Sequence, residues 1–120
     1  MISFLSRLFS RKGSTMKNYS PQEVHEMLTG GTIVLIDVRE TDEHDSERIQ
    51  GAVPYPLSSF DPRKLPNSEG KIVVFHCAGG IRSAKAVAKC LAVDLPYGAH
   101  LAGGLGAWKS AGLPTVKSRS

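Results

Sequence analysis

The stretch KIVVFHCAGGIRSAKAVAKCL, residues 71–91, runs from an unbroken apolar segment into a cysteine, two glycines and an arginine, and then into a helical repeat. KIVVFH has the length and continuity of a strand buried on both faces. After the glycines, Ala84, Val87, Ala88 and Leu91 recur at i, i+3, i+4, i+7, which predicts a helix of about ten residues with one buried side. Cys77 therefore stands at a strand–loop–helix corner, where open α/β sheets collect ligands outside the carboxyl ends of their strands. The free N–H groups and positive dipole end of the following helix favour an anion, and the nearest candidate is the cysteine thiolate itself. Gly79 and Gly80 allow the loop to curl so that several N–H groups aim at one sulfur, and Arg82 is expected to add a fixed cation. Such surroundings lower a thiol pKa and make a nucleophile. Cys90, at the far end of the helix, reads as an inert packing thiol.

Outward from this corner, strand and helix alternate. SPQEVHEMLTGG (residues 20–31) supplies Ser20 as N-cap, Pro21 at the first helical position, Glu23 three residues after the cap, and a glycine stop. TIVLIDV (32–38) is a second continuous apolar strand. Residues 39–70 contain a short charged helix, a short strand near Ala52–Val53 and proline-punctuated loops. YGAHLAGG (97–104) reads as the last strand and its turn, and GLGAWKSAGL (104–113) as a last helix closed by Gly112 and Pro114. The expected class is α/β with a mainly parallel sheet.

The chain has 120 residues, 41% hydrophobic and 22% charged, which suits one soluble globular domain. Two cysteines without CxxC or Cys/His spacing predict neither a disulfide framework nor a zinc site, and point to a reducing, cytoplasmic setting. The net charge of +4 is concentrated in residues 1–18, which hold Arg7, Arg11, Lys12 and Lys17 without an acid. The remainder is neutral, so no nucleic-acid partner is expected. Within residues 1–12, Met1, Phe4, Leu5, Leu8 and Phe9 share one helical arc opposite Ser3, Arg7, Ser10 and Arg11. Three readings fit this segment: peripheral contact with an anionic membrane or a partner, an organellar presequence, or a helix packed on its own domain. Residues 10–18 read as a linker, dividing the chain into an amphipathic basic segment (1–18) and a folded domain (19–117).

CAGGIRS (77–83) resembles the C-x-x-G-x-R-S active-site loop of rhodanese-like sulfurtransferases. LIDVRE, IQGAVPYP and LAGGLGAWKSAGLP are similar to that family's other segments and stand in the same order, so the likeness runs from about Ser20 to Thr115. It departs from the family pattern at His44, at Glu47-Arg48-Ile49 and at Pro54. The resemblance implies a five-stranded, mostly parallel sheet with helices on both faces, and a sulfurtransferase without a cofactor. Cys77 would take sulfane sulfur from a small donor such as thiosulfate or polysulfide, or from a persulfide-carrying protein, and pass it to a thiol or cyanide. Ala78, Gly79, Gly80, Ile81 and Arg82 would hold the persulfide, with Asp37, Arg39 and Ser83 in supporting roles. Asp37 would orient neighbouring backbone or Arg82, and Arg39 would form a structural ion pair.

Two rivals come from other classes. Cysteine phosphatases and arsenate reductases place five residues between cysteine and arginine, whereas four separate Cys77 from Arg82. A non-catalytic binding module is the other, though such a module needs neither the cysteine nor its glycines. His25, His76 and His100 have no ligand-spaced neighbours and read as structural. Trp108 reads as core, and the acid-rich run from Asp37 to Glu47 as a solvated helix face partnered by Arg39 and Arg48.

Overall fold

The computed structural model describes residues 16–118. Its strands are β1 (Lys17–Tyr19), β2 (Ile33–Asp37), β3 (Glu47–Arg48), β4 (Val53–Pro54), β5 (Ile72–His76), β6 (Ala99–Leu101) and β7 (Val116–Lys117). The helices are α1 (Pro21–Thr29), α2 (Thr41–Ser46), α3 (Ile81–Ala92) and α4 (Gly104–Ser110). Five strands form a wholly parallel sheet in the order β1-β6-β5-β2-β4, and β3 pairs antiparallel with β7 in a separate ribbon.

The period of two along the strands divides the apolar side chains between two cores. Ile33, Leu35 and Val74 face Val24 of α1 and Leu105 and Trp108 of α4. Ile36, Val73 and Phe75 face Ala86, Val87 and Cys90 of α3, with Tyr55, Phe60 and Leu65 from the loops closing that side. Helices thus cover both faces, as parallel strands buried on both sides require. Trp108 is core as expected, 1% exposed, with its indole N–H donated to the Pro114 carbonyl at 2.8 Å.

The start signal of α1 works as read: Glu23 N donates to Ser20 Oγ at 3.1 Å, and Ser20 N donates back to Glu23 Oε1 at 2.8 Å. Three local readings are corrected. The stretch read as a linker ends in strand rather than coil, because Lys17–Tyr19 pair in register with Ala99–Leu101 at the sheet edge. The buried side of α3 is formed by Ser83, Ala86, Val87 and Cys90, a small rotation from the predicted stripe of Ala84, Val87, Ala88 and Leu91. Alanine carries too little apolar surface to decide a helix face, and packing against β5 decides it instead. The acid-rich run is also no uniform solvated face, since Asp37 ends β2 at 0% exposure. The amphipathic reading of residues 1–12 lies outside the described residues.

Candidate active site

Cys77 is the first residue after β5 and is 1% exposed, at the base of a loop whose outer residues Ala78 and Gly79 are exposed. The N–H groups of Gly80 and Ser83 donate to its Sγ at 3.1 and 3.3 Å, and the Ser83 hydroxyl lies 3.6 Å away. Burial by itself would raise the thiol pKa. The Ser83 hydroxyl and the N–H groups of Ser83, Gly80 and Gly79 outweigh it, and the net shift is downward. Cys90 has no such donors, and burial pushes its thiol up to about 11.

Two glycines build this geometry. Gly80 has φ +109°, a conformation that turns its N–H onto the sulfur immediately before α3 begins. Gly104 starts α4 beneath the loop, with φ +61°; a Cβ there would stand 2.5 Å from the Cys77 carbonyl oxygen. The first turn of α4 then uses its unpaired donors on the loop, Leu105 N to Cys77 O at 2.8 Å and Gly106 N to Ala78 O at 3.0 Å. With these carbonyls held downward, the loop's N–H groups are free to face the sulfur.

Arg82 is held from the side by a carboxylate. Its two terminal nitrogens bind Glu43 of α2 at 2.7 and 3.0 Å, so Glu43 shares the charge that also attracts the Cys77 thiolate. The Arg82 guanidinium holds Glu43 at about 2, well below the usual carboxylate range. Of the two roles expected of it, Asp37 takes the first, orienting neighbouring backbone, and does not bind Arg82. It binds Arg39, accepting from Nη2 at 2.7 Å and from the backbone N–H at 3.0 Å, and it lies 2.8 Å from His44 Nδ1. Burial would raise the Asp37 pKa, but the hydrogen bonds from Arg39 and His44 and the nearby His76 hold it at about 2. Arg39 also reaches the Glu47 carbonyl at 2.6 Å, so this ion pair ties the end of β2 to β3. Asp37 and Arg39 thus brace the sheet ends beside the loop without touching the sulfur. Ile81, in the first turn of α3, is 73% exposed on the rim.

Two further residues meet at the site without any signal in their sequence spacing. His100 Nδ1 lies 2.7 Å from Ser83 Oγ, and His100 Nε2 lies 2.8 Å from Asn18 Oδ1. Both belong to strands that reach α3 only through the sheet order β1-β6-β5. The one legible hint was a histidine inside an otherwise apolar strand, which reads equally well as structural.

A parallel α/β sheet with a cysteine seated in a ring of N–H donors, at the carboxyl end of a central strand, defines a class of loop-cradled thiol domains. The sequence relationships narrow the class. Residues 20–111 match the rhodanese-like domain family model, and the chain belongs to that family. It is 38% identical over 109 residues to an uncharacterized protein of Synechocystis sp., covering 89% of this chain and 61% of that one. It is 36% identical to the probable adenylyltransferase/sulfurtransferase MoeZ of Mycobacterium tuberculosis, over 81% of this chain and 25% of MoeZ. The chain therefore spans less than two thirds of the length of these relatives. Among solved structures, a rhodanese-related protein from Thermoplasma volcanium superposes with a TM-score of 0.70 at 25% identity, covering 83% of this chain and 97% of that one.

Proposed function

We propose that the protein is a rhodanese-type sulfurtransferase that works through a Cys77 persulfide. The convergence of the Gly80 and Ser83 N–H groups on one sulfur carries this reading, because the same donors that stabilise a thiolate can stabilise a persulfide anion one atom further out. In the first half-reaction the Cys77 thiolate attacks the outer sulfur of the donor. A new S–S bond forms, the donor's own S–S bond breaks, and the thiolate or sulfite leaves with the bonding electrons. In the second, an acceptor thiolate or cyanide takes the outer sulfur and returns the Cys77 thiolate. The cycle is ping-pong and redox-neutral.

The rim speaks to the donor. Arg82 is already paired with Glu43, and exposed Ile81 stands beside the loop, so the site offers little to a dianion such as thiosulfate. A small-molecule or protein persulfide presents a slim terminal sulfur without a second charge and suits the nearly covered thiol better. The pairing of Arg82 likewise disfavours phosphatase chemistry, which needs that guanidinium on a tetrahedral oxyanion.

Intact-mass measurement tests the reading. After brief exposure to polysulfide or thiosulfate the wild type is expected to gain about one sulfur, which cyanide removes, while Cys77→Ser gains none. Folded wild type with a free thiol that acquires no sulfur from either donor would favour a binding module instead.

A further inference from the structure

Behind the cysteine loop, a chain of hydrogen bonds runs from the buried sulfur to the protein surface. Cys77 Sγ is 3.6 Å from Ser83 Oγ, Ser83 Oγ is 2.7 Å from His100 Nδ1, and His100 Nε2 is 2.8 Å from Asn18 Oδ1. Ser83 is fully buried and His100 is 6% exposed, whereas Asn18 lies exposed on the edge strand β1. We infer that Ser83 and His100 form a proton relay that takes the Cys77 thiol proton toward the surface, with His100 as a positioning residue acting through the Ser83 hydroxyl. The inference rests on Cys77 being the nucleophile.

With Asn18 Oδ1 turned to the ring, the donor and acceptor inventory sets the direction of the chain. Asn18 Oδ1 can only accept, so His100 Nε2 carries a hydrogen and the neutral ring has a bare Nδ1 facing Ser83. The Ser83 hydroxyl, offered His100 Nδ1 at 2.7 Å and the Gly80 carbonyl at 3.2 Å, donates to the nearer base and leaves its lone pairs for the Cys77 S–H. Ionisation reverses the chain. The thiol proton passes to Ser83 Oγ as the serine proton passes to His100 Nδ1, leaving a thiolate that accepts from Ser83 and an imidazolium that donates to Ser83 and Asn18. Every polar atom keeps a partner in both states, and the proton comes to rest on the His100 ring, next to exposed Asn18 on the edge strand.

The hydrogen-bond partners of the ring are both neutral. From α3 it meets Ser83, from β1 Asn18, and Phe75 of β5 occupies the paired strand position. Burial lowers the His100 pKa, and no charged group among the described residues opposes that shift. Burial thus favours the neutral ring, which can accept at Nδ1.

The rate of Cys77 alkylation by iodoacetamide as a function of pH tests the relay without any sulfur donor, so a failure of sulfur transfer and a failure of the relay are read separately. His100→Gln keeps hydrogen-bonding capacity but removes basicity. It is expected to move the alkylation midpoint up by about one pH unit, a tenfold slower reaction below the midpoint. Ser83→Ala combined with His100→Gln is expected to be no slower than Ser83→Ala alone, because the two residues act in series. Asn18→Asp, an exposed change that leaves the core intact, is expected to move the midpoint down, since a carboxylate on Nε2 favours the imidazolium. A His100→Gln profile superimposed on wild type, multiplicative effects of the two substitutions, or an upward shift in Asn18→Asp would each overturn the relay.

Discussion

Arg82 and Cys77 lie close in the chain, yet the guanidinium binds Glu43, 39 residues earlier, with both terminal nitrogens. The pair is about one third exposed, so its worth to stability is small, below about 1 kcal/mol. Its larger effect is on charge at the rim. Glu43→Gln is expected to release Arg82 toward incoming anions and lower KM for thiosulfate several-fold, with little change in kcat; steady-state kinetics with cyanide as acceptor would measure both. An unchanged KM would mean that Arg82 does not meet the donor. Asp37 is the opposite case, a carboxylate at 0% exposure whose partners are Arg39 and His44. Asp37→Ala leaves Arg39 buried without its carboxylate and is expected to cost about 3–5 kcal/mol, read by urea unfolding. The cysteine, its glycines and its serine were legible because they fall within seven consecutive residues. The partner of Arg82 was not, because one of six nearby acids is selected only when α2 packs beside the loop.

At the level of elements, the loop is a joint product of α3 and α4. The N-terminus of α3 supplies the donors that face the sulfur, while the N-terminus of α4 holds the Cys77 and Ala78 carbonyls away from it. Gly104→Ala is expected to push that backbone upward, because its Cβ would come within 2.6 Å of the Ala78 carbonyl carbon as well as 2.5 Å of Cys77 O. Turnover should fall at least about a hundredfold, a loss in proportion to catalytic geometry displaced by an ångström. Retained activity would mean that the loop tolerates movement. The α1 cap, the β2 and β5 runs and the existence of α3 and α4 were all readable from local pattern. The two-residue strands β3 and β7 were not, as Glu47–Arg48 and Val116–Lys117 carry no alternation and pair across most of the chain.

Across the whole molecule, acid stability follows from the buried Asp37 cluster. Its folded pKa of about 2 lies below the ordinary value of 3.8, so its contribution is present in full above the unfolded value and is lost as pH falls through about 2. The shift corresponds to about 2 kcal/mol at neutral pH. Urea unfolding at pH 6 and pH 3 is expected to show a stability loss of which about 1 kcal/mol disappears in Asp37→Asn. An equal loss in the two proteins would remove Asp37 as its source. The N-terminal segment can be tested at the same scale. Deletion of residues 1–15 leaves every described strand and helix in the chain, so sulfur transfer should be unchanged; loss of liposome association would support a membrane contact, and a lowered Tm would support a helix packed on its own domain.

By itself the sequence determined what depends on neighbours along the chain: the α/β alternation, the family, the strand–loop–helix corner and the cysteine within it. These rest on hydrogen bonds and steric limits within a few residues, and every such preference was written locally. Only the tertiary structure decided which carboxylate neutralises Arg82, which side of α3 is buried, and that Asn18, Ser83 and His100 form one chain of hydrogen bonds. The last of these depends on the strand order β1-β6-β5, which brings residues 82 apart in sequence within 2.8 Å, and sheet order is set by the summed burial of two cores rather than by any single segment.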